Sequence, residues 1–172
     1  MATIIIPQGI VEKAKKFGVD IQQLVVDILA EKLGMDPEDE AKARLELAKR
    51  FLEEGKKLIA EDPIQASEKI YKSAEEAIKA FAVILNLNEI LARVRTRGRW
   101  TVTDLEKAVR KIAKIFGKEI LVGWGEANYL HIWGFHEAKL DRDAIEIRIP
   151  YVERMIEILE NHLTNRVPPN NK

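Results

Sequence analysis

The residues best suited to chemistry lie in YLHIWGFHEAKLD, positions 129–141, which holds His131 and His136, two of the three histidines in the chain. Imidazole carries protons near neutral pH and ligates metals, so the pair raises acid–base and metal chemistry together. On an α-helix, at about 100° per residue, Trp124, Asn128, His131 and Phe135 share one face, while Tyr129, Trp133 and His136 share another. Histidines five apart on such a helix diverge by about 140°, so they do not grip one metal as an i, i+4 pair does. Two readings of His131 stay open. It is a core imidazole bonded to Asn128 or to a neighbouring helix, or it lines a nucleobase pocket with Trp124, Asn128 and Phe135. Gly123, Gly125 and Gly134 would let a ligand or another helix approach that backbone. His136, beside Glu137, reads as a helix-end cation.

A second constellation is RVRTRGRW, with Arg93, Arg95, Arg97, Arg99 and Trp100. Lys107, Arg110, Lys111, Lys114 and Lys118 extend it, against Asp104, Glu106 and Glu119. The guanidinium fork suits phosphate, and an indole stacks on a base or on an arginine plane. The structural alternative is a salt-bridged connector facing the acids around Asp36–Glu40, or a dimer contact. Glu68, Lys69, Lys72, Glu75, Glu76 and Lys79 alternate in sign at i, i+3 and i, i+4, which reads as a solvated helix face. No glycine-rich phosphate loop follows a strand.

Elements must position these groups, and bulk properties limit the choices. A chain of 172 residues suits one domain, or one domain plus a short appendage. A globule of that size buries roughly 70% of its unfolded surface and needs no staple. Cysteine is absent, which excludes disulfides, thiolate zinc sites and cysteine nucleophiles, and fits a reducing compartment. No basic-then-apolar leader and no bilayer-length apolar run is seen, so a cytoplasmic protein without a membrane partner is expected. Formal charge is zero, from 28 basic and 28 acidic residues, so no global field announces a nucleic acid.

Residues 2–6, ATIII, closed by Pro7, carry the strand signal of the chain. A lone strand must pair with something, and the same strand of a second copy is the expected partner. A helix follows near Gly9–Phe17, stopped by Gly18. A second starts at Asp20 as N-cap, with Leu24, Val25, Ile28, Leu29 and Leu33 on one face and Gly34 at its end. This order resembles the ribbon-helix-helix plan. The outward strand set, Ala2, Ile4 and Ile6 or Thr3 and Ile5, makes no bidentate base contact. Homodimerisation through residues 2–33 is therefore expected ahead of DNA reading.

Asp36-Pro37-Glu38 opens a helix with Leu45, Ala48, Leu52, Gly55 and Ile59 inward. Glu61-Asp62-Pro63 restarts the chain as a second helix burying Ile64, Ala66, Ile70, Ala74, Ala77, Ile78, Phe81 and Leu85, an αα-hairpin. NLN at 86–88 breaks it. Thr103-Asp-Leu-Glu106 reads as a capping box for a helix ending at Gly117. Residues 118–137 read as a central helix, apolar nearly all round. AIEIRI alternates like a strand, but the longer helical spacing through Leu163 predicts a helix kinked at Pro150. The tail RVPPNNK is expected to be disordered.

DPIQASEKIYKSAEEAIKAFA at 62–82 and LHIWGFHEAKLD at 130–141 resemble the two hallmarks of the archaeal paREP-type family, a branch of the HEPN (higher eukaryotes and prokaryotes nucleotide-binding) helical bundles. The resemblance spans roughly 36–164. It implies an up-and-down bundle, usually dimeric, and links to nucleotides, RNA cleavage or toxin–antitoxin pairs. Nuclease relatives carry an Arg four to six residues before a His, and this chain has no such pair: Arg154 stands eight before His162. The nuclease roles do not carry over.

The expectation is thus an all-α, HEPN-like bundle over 36–164, with a strand-helix-helix dimerisation arm over 1–35 and a tail over 165–172. Its expected role is to bind nucleotide or RNA through Arg93, Arg95, Arg97, Arg99, Trp100, Trp124, Asn128 and His131. No catalytic residue, metal ligand or cofactor is expected. The alternatives are an interaction partner in a toxin–antitoxin-like pair, and a ribonuclease using His131 or His136 as base.

Overall fold

A computed structural model describes residues 3–165, and these fold into helices joined by short connections. They divide into two compact units, one ending at Asp36 and one beginning at Pro37.

In the first unit α1 spans Gln8–Lys16 and α2 spans Ile21–Leu33. Gly18 turns the chain between them at a φ of 65°. The Asp20 carboxylate caps α2 by accepting from the Gln22 and Gln23 amides at 2.9 and 3.1 Å. Gly34 ends it in the left-handed region, as its sequence position predicts. The strand expected over 2–6 is not present: residues 3–7 have no regular structure, and Ala2 lies outside the described residues. A strand needs a ladder partner, and one chain supplies none here. Ile4, Ile5, Ile10, Phe17, Leu24, Ile28, Leu29 and Leu33 are all exposed.

The second unit is built around a helical hairpin, α3 (Pro37–Leu58) and α4 (Pro63–Ile84). The Asp62 side chain caps α4 at the Gln65 amide, and Pro63 occupies the first turn, where its missing N–H costs nothing. Gly55 permits close approach: a Cβ there would sit 2.8 Å from Ile70 Cγ1. After α4 come α5 (Asn88–Arg97), α6 (Val102–Phe116), α7 (Lys118–Tyr129), α8 (Arg142–Glu146) and α9 (Ile149–Thr164). The central element is α4, which packs against α3, α5, α6, α7, α8 and α9. Ala66, Ile70, Ala74, Ala77, Ile78, Ala80, Phe81 and Ala82 are all buried on it. Small residues on several faces let that many neighbours reach one backbone.

Four expectations need correction. Residues 118–137 are not the buried centre, because Leu121, Val122, Tyr129, Ile132 and Trp133 are exposed. Ile64, expected inside, is also exposed, since it lies in the first turn of α4. The capping box is Thr101 with Asp104, not Thr103 with Glu106: the Asp104 amide donates to Thr101 Oγ1, and the Thr101 amide donates to the Asp104 carboxylate. Pro150 does not kink a continuous helix. The chain breaks at Ile147–Arg148, and Pro150 lies in the first turn of α9, where no N–H is needed. The tail from 166 onward lies outside the described residues.

Candidate functional site

Beyond Tyr129 the helix changes winding, and Leu130–His136 form a π-helix. Its i→i+5 bonding places groups five apart one above the other, a local form that is rare and concentrated at functional sites. Packing explains its position. Gly134 lies against α4 so closely that a Cβ would stand 2.1 Å from Ser67 Oγ. Leu130 is fully buried at the start of the segment, and Ala138, at a φ of 51°, lies just past its end.

The altered winding overturns the divergence of the two histidines. His131 Nε2 and His136 Nε2 stand 3.0 Å apart, joined by a hydrogen bond. On its other side His131 Nδ1 is 2.7 Å from Glu68 Oε2 of α4. Burial pushes the Glu68 carboxyl up, but the His131 bond and the Lys72 charge outweigh it, holding it below the ordinary glutamate range. An ionised carboxylate only accepts, so Nδ1 of His131 carries the proton and its Nε2 is the nitrogen facing His136. Tyr71 stacks on the imidazole at 4.0 Å and Phe135 lies nearly parallel to it at 5.8 Å. Burial and the Glu75 and Glu68 charges push the Tyr71 phenol up, so it stays neutral. The result is a chain of polar groups running from Glu68 through His131 to the exposed His136.

Of the expected pocket residues, Trp124 and His131 are brought together through the Tyr71 ring. Trp124 is buried, and its indole N–H donates to Glu106 Oε1 at 2.6 Å. Asn128 is half-buried. The rings of Tyr71 and Phe135 lie beside the imidazole, which stays half-buried. Gly134 admits α4, and Gly123 admits α9, where a Cβ would meet Tyr151 O at 2.8 Å.

The supposed solvated face of α4 is also corrected. Glu76 is fully buried, with Arg44 Nη1 at 3.0 Å and Lys79 Nζ at 2.7 Å. Arg44 also bonds Glu40. Burial pushes the Glu76 carboxyl up, yet the Lys79 and Arg44 charges prevail and hold it low.

The arginines contact other partners than the histidines. Arg93 pairs with Glu89 at 2.9 Å and lies 3.6 Å from Asp104, and Arg97 bonds Asp104 at 2.5 Å. Asp104 and Glu89, rather than the acids near 36–40, are thus the local counter-charges. The Asp104 carboxyl, pushed up by burial, is held low by Thr101 and Arg97. Trp100 packs against the hydrophobic core. Arg95 and Arg99 are exposed, as are Arg110, Lys111, Lys114 and Lys118.

With both clusters placed, their surroundings can be matched to known proteins. The profile of the Archaeal PaREP1/PaREP8 family matches residues 43–156. The chain belongs to that family. A crystal structure of a Sulfolobus solfataricus protein is similar to it with a TM-score of 0.63 and 36% identity, over 68% of this chain and 96% of that one. The solution structure of the same structural-genomics target gives 0.60 and 35%, over 69% and 92%. Comparison with curated proteins found no match. The PaREP1/PaREP8 match takes in Glu68, Glu76, the arginines and both histidines, and leaves out α1 and α2.

Sequence reasoning missed Glu68 and Tyr71 as neighbours of His131, and Lys72 beside Glu68, in this PaREP protein. The signal available was Ser67 on one hallmark segment and Gly134 on the other, small residues fitted for contact. Nothing in the spacing announced a π-helix. No helix among the described residues is long and apolar enough to cross a membrane.

Proposed function

We propose that this protein is a dimeric, HEPN-like module that binds RNA along the outer face of α5 and α6. The observation that supports it is the sorting of charge on this segment. Asp104 is buried and Glu106 is engaged by the Trp124 indole, whereas Arg95, Arg99, Arg110, Lys111, Lys114 and Lys118 are exposed. Glu89 is an exposed acid beside them, paired with Arg93 and 3.7 Å from Lys111. These six exposed cations between 95 and 118 suit a polyanion better than a mononucleotide, because each neutralised phosphate adds counter-ion release. Fluorescence anisotropy with a single-stranded RNA is the test. Affinity falls with salt, and replacing Arg95, Arg99, Arg110 and Lys114 by alanine weakens binding at least tenfold. Absence of binding at low salt, or equal binding by the variant, contradicts the reading.

Dimerisation is proposed through residues 2–33. Its support is the exposed apolar set on α1, α2 and the preceding segment, unusual for a chain that stays monomeric. Sedimentation of the wild type as a dimer, and of an Ile5→Lys, Leu29→Lys double variant as a monomer, is expected. A monomeric wild type contradicts it.

A further inference from the structure

The π-helix leaves a donor arrangement that the RNA reading does not use. Two imidazole nitrogens face each other at 3.0 Å. The unprotonated Nε2 of His131 needs a partner there: the N–H of His136 or, when both nitrogens are unprotonated, a metal ion that replaces that proton. Three features suit the metal. First, two nitrogens each about 2.0–2.1 Å from one tetrahedral zinc lie about 3.3 Å apart. Moving the exposed His136 by a few tenths of an ångström supplies the difference. Second, Glu68 accepts a hydrogen bond from the Nδ1–H of His131 at 2.7 Å, which leaves Nε2 as the ligating nitrogen. A carboxylate on the far nitrogen is the usual support of a metal-bound histidine. Lys72 stands 3.5 Å from Glu68 and completes that support. Third, the Tyr71 and Phe135 rings, nearly parallel to the His131 ring at 4.0 and 5.8 Å, fix its plane before any ligand arrives.

We propose that His131 and His136 form an open, two-histidine site for a late first-row divalent cation such as zinc, with Glu68 orienting His131. No group of three or more His, Cys, Asp or Glu suited to a metal is found among the described residues. The remaining coordination positions are therefore filled by water or by a donor from a bound molecule. Two neutral imidazoles favour zinc, nickel or copper over magnesium or calcium, which prefer oxygen. The α-helical spacing argument against a shared metal does not apply, because the segment is not α-helical.

Isothermal titration of the full-length protein with zinc chloride at neutral pH tests the site, with cobalt(II) visible absorption as a second readout. Saturable one-to-one binding is expected, weakening on acidification as protons compete for the imidazoles. His136→Ala and His136→Gln remove it while circular dichroism shows the helices unchanged, since His136 is exposed. Glu68→Gln weakens it by about 10–100-fold. Wild-type protein that takes up no zinc, or His136 variants that bind like the wild type, would overturn the proposal. Zinc binding that persists when Arg95, Arg99, Arg110 and Lys114 are alanine separates this site from the RNA surface.

Discussion

Glu68 and Glu76 lie about two turns apart on α4 and meet opposite fates. Glu76 is fully buried between Arg44 and Lys79, which close it off from solvent. Glu68 lies nearer the edge, where its partner is the His131 imidazole, which leads to an exposed second imidazole. Both carboxylates remain ionised because neighbouring cations or donors outweigh the cost of burial. The difference teaches that burial and an ion pair do not by themselves mark a reactive group. A titratable partner and a route to solvent do. The Glu76 cluster thus ties α3 to α4, and the Glu68 chain reaches solvent at His136.

The comparison breaks most visibly in stability. Glu76→Ala strands Lys79 in the core, and the expected loss is about 3–5 kcal/mol by chemical denaturation. A loss below about 1 kcal/mol would mean that the cluster is relaxed or hydrated. Gly134→Ala drives a methyl into Ser67 and is expected to cost about 1–3 kcal/mol. It should also dislodge the π-helix, so the contact between the two histidines is lost with it. Acid provides the next test. A carboxyl depressed in the folded state binds fewer protons there than in the unfolded chain, so its stabilisation is present above the unfolded value and is lost as pH falls. For Glu76 that window opens below the ordinary 4.5 and extends down through its lowered folded value. The wild type should lose stability across it, and Glu76→Gln, already destabilised, should lose less. Smallest is Glu68→Gln, with an expected cost of about 1 kcal/mol, since its partner retains water. A cost equal to that of Glu76→Ala would erase the distinction.

Much of the fold was legible because helix ends are local events. Asp20, Gly34, Asp62-Pro63 and Gly117 each stop or start a helix through a backbone group that the residue itself satisfies or frees. The hairpin core followed from apolar spacing, as Ile70, Ala74, Ala77, Ile78 and Phe81 show. The site was less legible, for two physical reasons. Charges at i, i+3 and i, i+4 look alike whether they face water or a second helix, and only the hairpin carries Arg44 to Glu76. A π-helix, in turn, is set by tertiary packing, here Gly134 on Ser67, and one such change in winding reverses which residues share a face. The capping box before α6 was misjudged for a related reason. Thr101 and Thr103 offer competing caps, and the choice between them decides whether the Asp104 carboxylate turns inward toward Arg97.

The claim that Glu68, His131 and His136 act as one connected chain is tested most directly by long-range proton–nitrogen correlation spectra of the histidine rings at neutral pH. The account predicts His131 as the Nδ1-protonated tautomer, with its Nε2 resonance shifting in the His136→Ala variant and its Nδ1 resonance shifting in Glu68→Gln. A His131 protonated at Nε2, or resonances that ignore both substitutions, would contradict it.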